Sequence, residues 1–230
     1  MNKLQEKLNF LLDKYSVETK AELTDNRDVV IDGTKVPFLS ALYERRFLEL
    51  KNIVSGGTLV GISVMRIART VAKGSDIYDE LYREFGICQY VLGRKICSVA
   101  VMENGNVLDA IAKTEDGVVC TFEIAATLSQ NDEPKDKHEI ISQRGIACDV
   151  VVDAQLKQDS IYVFGEDNEK FTDVDFELYG LTIDEAAIVR GAFAAAKNKN
   201  TDELIDLDKN LCALVELAKK SAKSGEREAL

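Results

Sequence analysis

A single histidine, His138, and the absence of any C-x-x-C pair leave this chain without the material of an ordinary zinc site. The five cysteines, Cys88, Cys97, Cys120, Cys148 and Cys212, are scattered through apolar stretches, so they read as small buried hydrophobes in a reducing compartment. No apolar run approaches the roughly 20 residues that span a bilayer, and the N-terminus carries no signal-peptide pattern. The expectation is a cytoplasmic protein with no membrane partner. Basic charge is also short. Against 40 Asp and Glu stand only 29 Lys and Arg, a net −11, and phosphate binding needs a concentrated basic surface, so nucleic acid is not an expected partner. A small local basic pocket is still compatible with that balance. With only Pro37 and Pro134, and no internal repeat or low-complexity segment, the chain reads as one main domain with a short N-terminal appendage.

What is present is a series of well-punctuated strands and amphipathic helices. At 230 residues, 46% hydrophobic and 30% charged, the chain has the size and composition to bury a sizeable core. "MNKLQEKLNFLLDKY" puts Leu4, Leu8, Leu11, Leu12 and Tyr15 on one helix face. In the middle, "KICSVAVM", "VLDAIAKT" and "VVCTFEIAATL" are joined by "ENGN" and "EDG", and Asn-Gly and Asp-Gly are strong hairpin signals. The third of these strands places Val118, Cys120, Phe122, Ile124, Ala126 and Leu128 on one face, opposite Thr121, Glu123 and Thr127. The first is apolar on both faces, Ile96, Ala100 and Met102 against Cys97, Val99 and Val101. Such a strand needs cover on both sides of its sheet. Helices would supply one cover and a second copy of the chain the other.

Residues 59–69, 137–143, 146–154 and 160–165 are further strand candidates. Thr182 with Glu185 marks a capping box for one closing helix, and Leu204, Leu207, Leu211, Leu214 and Ala218 stripe the next. The expected fold class is α+β: a large, mainly antiparallel open sheet with helices packed on one face. The expected division is a helical appendage over residues 1–36 and an α+β domain over 37–230.

Ahead of the three hairpin-linked strands lies "SDIYDELYREFGICQYVLG" (75–93), a helix that opens on acidic residues and ends at Gly93. Tyr78, Leu81, Tyr82 and Phe85 fit a core-facing stripe. Asp79 and Arg83 stand i,i+4 with the acid first, the favourable order for a surface pair worth about 0.2–0.5 kcal/mol. His138 follows a polar loop, has no partner at motif spacing, and reads as an exposed strand-start residue. Asp149 and Asp153 share a face of an apparent strand and read as solvent-facing or paired with lysines such as Lys137.

From Pro37 to about residue 220 the order of these pieces resembles the C-terminal domain of the Gfo/Idh/MocA oxidoreductases, and through it the C-terminal domain of glyceraldehyde-3-phosphate dehydrogenase. "ALYERRFLELKNIVSGGTLVGISVMRIAR" is similar to the passage into the family's second domain. "YVLG" resembles the "YLLG" that closes its catalytic helix, and "AKTEDGVVCTFEIAATL" is similar to its "ENGAVGTLEV" hairpin. The family joins this domain to an NAD(P)-binding Rossmann domain, whose Gly-rich turn brings the backbone to a pyrophosphate. Only about 36 residues precede the matched region, too few for such a domain, and Gly56, Gly57 and Gly61 have the wrong spacing. The lysine of the family's Glu-Lys-Pro segment has no counterpart, "TKVP" (34–37) being similar only superficially.

Counted back from Gly93, Asp79 takes the first aspartate position of the family's Asp-x-Gly-x-His-x-x-Asp helix, Arg83 the acid/base histidine position and Gly86 the second aspartate position. Arginine is effectively always protonated and cannot shuttle a proton near neutral pH. The resemblance with these departures implies no catalytic residue, no cofactor and no metal. If the cleft of the family persists, Arg83 would hold an anionic group such as carboxylate or phosphate, with Asp79, Tyr43, Arg45 and Arg66 near it. The expected function is a non-catalytic oxidoreductase-like domain, a homodimeric assembly or a module binding a small sugar-like or anionic ligand. The alternative is the substrate-binding half of a split NAD(P)-dependent oxidoreductase that docks a separate NAD(P)-binding Rossmann subunit.

Overall fold

The computed structural model describes residues 2–24, 28–143, 145–149, 160–163, 169–172, 176–178 and 180–230. In chain order the elements begin with α1 (Lys3–Lys14), β1 (Ala21–Leu23), β2 (Asp28–Ile31), β3 (Thr34–Pro37), a 3-10 turn (Ser40–Tyr43) and α2 (Arg45–Ser55). Next come β4 (Ile62–Ala72), α3 (Ile77–Leu92), β5 (Ile96–Asn104), β6 (Val107–Thr114), β7 (Val119–Leu128), β8 (Lys135–Ser142) and β9 (Gly145–Cys148). The chain closes with β10 (Ser160–Val163), β11 (Glu169–Thr172), a 3-10 turn (Phe176–Leu178), α4 (Ile183–Asn198), α5 (Thr201–Ser224) and β12 (Glu228–Ala229). Contacts divide it into two compact units, Met1–Leu48 with Val151–Asp208, and Glu49–Val150 with Lys209–Leu230.

The first unit is built on α1, the three-stranded antiparallel sheet β1–β2–β3 and α4. Asn2 caps α1 by accepting from the Leu4 N–H, and the apolar stripe of that helix buries Leu8, Leu11 and Leu12. They share a core with Val29, Ile31 and Val36 of the sheet and Val189, Ala192 and Ala196 of α4. Asp32 and Gly33 both take positive φ (48° and 85°), the backbone that a two-residue turn between β2 and β3 requires. Both bonds of the Thr182–Glu185 capping box start α4. Gly191 on that helix allows a close approach: a Cβ there would lie 2.8–2.9 Å from the rings of Phe38 and Tyr43.

The second unit is built on a seven-stranded sheet in the order β12-β5-β6-β7-β4-β8-β9. Every neighbouring pair is antiparallel except β4 and β7. That parallel pair follows from connectivity: the chain leaves β4 through α3 and returns by two tight hairpins, turned at Gly105 (φ 62°) and Gly117 (φ 95°). β6 alternates strictly between exposed and buried residues, and β7 buries Cys120, Phe122, Ile124 and Ala126 on the inner face. α3 packs on this inner face against β4 and β7, with Phe85 edge-on to Phe122 at 4.9 Å between centroids. Each such fully buried side chain contributes about 1.5–3 kcal/mol. α5 joins the same face, where Ser221 Oγ accepts the Val101 N–H at 2.9 Å and Asn210 accepts from the Gln89 amide at 3.0 Å.

The α+β class, the mainly antiparallel sheet, the three hairpin-linked strands and both closing helices match the sequence reading. Several details differ for local reasons. The strand read at 59–69 begins at Ile62, since Gly61 turns the chain with φ 64°. A register shift between Ile96 and Ser98 moves Ile96 to the buried face with Val99 and Val101, while Ala100 and Met102 face outward. Residues 21–37 hold three strands of only three or four residues, too short to leave a period in the sequence. Of the strand read at 146–154, β9 covers residues up to Cys148, and 150–154 lie outside the described residues, as do 164 and 165 of the strand read at 160–165. Cys88 and Cys120 are buried with their sulfurs 3.4 Å apart, but Cys148 and Cys212 are exposed, unlike the buried thiols expected. No described helix is long and apolar enough to cross a membrane.

Candidate functional site

α3 begins at Asp76, whose side chain accepts from the Tyr78 N–H, and ends at Gly93 in the left-handed conformation (φ 66°). Asp79 and Glu80 in its first turn oppose the positive end of the helix dipole. Its inward stripe, Leu81, Phe85, Cys88 and Leu92, also contains a carboxylate, Glu84, which is fully buried. Beneath it, the inner face of β4 carries Met65, Ile67, Arg69 and Val71, and that of β8 carries Asp136, His138 and Ile140. The β4–β8 register sets Arg69 opposite Asp136 and Ile67 opposite His138. Sheet pairing therefore delivers Arg69, His138 and Asp136 to one place, since cross-strand partners point to the same side.

The imidazole of His138 lies between two carboxylates. Its Nε2 is 2.8 Å from Glu84 Oε2 and its Nδ1 is 2.6 Å from Asp149 Oδ2, and all three side chains are sealed from solvent. Arg83 Nη1 donates to Glu84 Oε1 and stands 3.6 Å from Asp136 Oδ2. Arg69 donates through Nε to Glu80 and through Nη1 to Asp136 at 3.1 Å, with its Nε 3.6 Å from Glu84. Burial alone would favour neutral forms, but the charges around each group prevail. Burial opposes the His138 imidazolium, yet Glu84 and Asp149 carry its pKa up from 6.5 to about 9. Burial likewise opposes the Glu84 carboxylate, yet Arg83, His138 and Arg69 hold it down to about 2. Near pH 7 these surroundings favour the protonated imidazole and the ionised carboxylate.

Glu84, Asp136 and His138 bring ligand atoms within 4.8 Å of one another, a spacing that a metal ion can use. The residues do not fit one. Both imidazole nitrogens already face carboxylates at hydrogen-bond distance, and a metal needs a free nitrogen lone pair. Arg69 and Arg83 already supply positive charge to the same carboxylates.

Of the residues singled out from sequence, Arg83 lies in this cluster and Asp79 is exposed one turn before it on α3. Arg66 is on the opposite face of β4, 3.8 Å from Glu139. Tyr43 belongs to the other unit, with its ring against α4 at Gly191, and Arg45 is exposed at the start of α2. His138 is not an exposed strand-start residue: it faces inward with Ile140, because its strand runs beneath α3. Asp149 is not solvent-facing at its carboxylate, which is sealed from solvent against His138; Asp153 lies outside the described residues. Glu84, Arg69 and Asp136 are absent from the sequence reading. One signal was available: Glu84 interrupts the stripe between Leu81 and Cys88, where an acid needs a buried partner.

No protein-family model matches the chain, and no curated protein sequence matches it. Solved structures do match at the level of fold. An oxidoreductase domain protein from Kribbella flavida superimposes with TM-score 0.62 at 12% identity, over 83% of this chain and 64% of that one. A myo-inositol dehydrogenase from Corynebacterium glutamicum gives 0.61 at 10% identity, over 84% and 63%. The scyllo-inositol dehydrogenase from Lactobacillus casei with bound NAD(H) and scyllo-inositol gives 0.56 at 12%, over 83% and 63%. The chain thus has the fold of Gfo/Idh/MocA-type dehydrogenases and spans a little under two thirds of their length.

Proposed function

We propose that this chain, sharing the fold of Gfo/Idh/MocA-type dehydrogenases, is an oxidoreductase-like domain without acid–base catalysis of its own that pairs with a second copy through the outer face of its large sheet. The observation that carries the reading is the character of that face. Met102, Val107, Ile111 and Val119 stand exposed on β5, β6 and β7, with Met102 73% exposed. The outward charges of the sheet are Arg66, Lys113, Lys135 and Lys137 against Asp109, Glu123 and Glu139, one net positive on a chain whose net charge is −11. A second copy approaching this face meets apolar surface and little of the repulsion expected elsewhere.

The absence of catalysis is supported by Arg83. It takes the family's histidine position in the sequence resemblance, and its guanidinium is engaged by Glu84 and Asp136. The same engagement weighs against an anionic ligand at Arg83. Sedimentation equilibrium tests the assembly: a mass twice the 25.5 kDa chain supports it, and a monomer at tens of micromolar removes it.

A second reading is a split enzyme, in which this chain supplies substrate contacts and a separate NAD(P)-binding subunit docks beside α3. It draws on the likeness in fold to a dehydrogenase with bound NAD(H). Purification from the native cell separates the two. A stoichiometric nucleotide-binding subunit supports the split enzyme, and this chain alone at dimer mass supports the assembly module.

A further inference from the structure

β9 is the last strand of the large sheet, four residues long, and its ladder within that sheet is formed with β8. Just beyond it the chain passes from the second unit to the first, between Val150 and Val151. Asp149 is the last described residue before that crossing. Its N–H donates to the His138 carbonyl at 3.2 Å, and its carboxylate accepts the His138 N–H at 2.7 Å and faces Nδ1 at 2.6 Å. The other ring nitrogen reaches Glu84 on α3 at 2.8 Å. One imidazole therefore ties the end of an edge strand to a central helix.

That tie depends on a proton. A neutral imidazole has one N–H and one lone pair, so it can satisfy only one of two carboxylates and presents its lone pair to the other. Among the described residues, the charged groups packed around the ring are Glu80, Arg83 and Glu84 from α3, Arg69 from β4, Asp136 from β8 and Asp149 after β9. The buried thiols Cys88 and Cys120 lie one turn further along α3 and on β7. These four carboxylates and two guanidiniums carry between them an excess of negative charge that the imidazolium reduces. Deprotonation would restore that excess in a sealed place, and the element it adjoins is a short edge strand, held by one ladder only among the described residues.

We propose that His138 is a proton-dependent pin: with both ring nitrogens protonated it holds β9 and Asp149 to α3, and loss of one proton releases the edge strand where the chain crosses between its units. The raised pKa of His138 agrees in sign with this geometry. The pin is complete below pH 6.5 and is lost as pH rises through about 9.

The test is pulse-labelled amide hydrogen exchange on the full chain between pH 6 and 10, corrected for intrinsic exchange, with β9 compared to β6. The expected result is a fall of about tenfold or more in β9 protection between pH 7 and 10 while β6 keeps its protection, since one pKa unit corresponds to a factor of ten. His138→Gln is expected to show weak β9 protection at both pH values. β9 protection that persists to pH 10, that falls only together with β6, or that stays at the wild-type level in His138→Gln overturns the proposal. Should His138→Gln fail to fold, Asp149→Asn replaces it. That variant is expected to lose β9 protection at pH 7, and retention of wild-type protection overturns the proposal equally.

Discussion

Asp149 and His138 are joined by backbone and side chain at once. The Asp149 carboxylate receives both the His138 N–H, at 2.7 Å, and the ring Nδ1, at 2.6 Å. The β8–β9 hairpin sets this up, with Glu139 opposite Cys148 and so His138, within β8, beside Asp149 just past β9. Because Glu84 holds the far side of the same ring, charge and packing in this unit stand or fall together. The consequences below follow from that coupling.

Replacing Glu84 by Gln keeps the shape of the side chain but leaves Arg83, Arg69 and His138 with one fewer buried carboxylate. Breaking a buried ion pair from one side costs about 3–5 kcal/mol. Urea unfolding of Glu84→Gln is expected to show a loss of that size. A change below 1 kcal/mol would mean that the acid is not held as an ion among them.

Stability is expected to change with pH on two separate limbs. The folded His138 pKa lies above its ordinary 6.5, so its contribution is complete below pH 6.5 and disappears as pH rises toward about 9. The folded Glu84 pKa lies below its ordinary 4.5, so its contribution is complete above pH 4.5 and disappears as pH falls toward about 2. Thermal unfolding should therefore show highest stability around pH 5–6, with an alkaline decline of roughly 3 kcal/mol. His138→Gln should flatten the alkaline limb, and an unchanged limb in that variant would assign it to other groups.

In the other unit, Gly191 lets α4 pack closely against Phe38 and against Tyr43 of the 3-10 turn. A methyl group at 2.8–2.9 Å from both rings forces one of them aside. Overpacking of this kind costs about 1–3 kcal/mol, more than the helix gains from losing a glycine. Gly191→Ala is expected to lower the melting temperature, and a rise would show that the rings move without strain.

What the sequence disclosed, it disclosed through local rules. The helix from Ile77 to Leu92 has its acidic start, its stripe and its terminal glycine within one stretch, and the three strands around Gly105 and Gly117 have their turns written between them. His138 was opaque because its partners stand 54 and 11 residues away and meet it only through the β4–β8 register and the α3 crossing. The period of β8 pointed to them, since Asp136, His138 and Ile140 share a face, and a buried isoleucine on that face implies a buried histidine. The strands between residues 21 and 37 stayed hidden because three or four residues carry too little alternation to be distinguished from a loop.

If two copies meet on the outer face of the large sheet, Ile111 stands within their interface. The most direct measurement is sedimentation equilibrium of the wild-type chain beside Ile111→Asp and Met102→Asp, with circular dichroism to confirm folding. The expected result is a wild-type mass twice the 25.5 kDa chain and folded variants that sediment as monomers. A wild-type monomer, or folded variants that remain dimers, would contradict it.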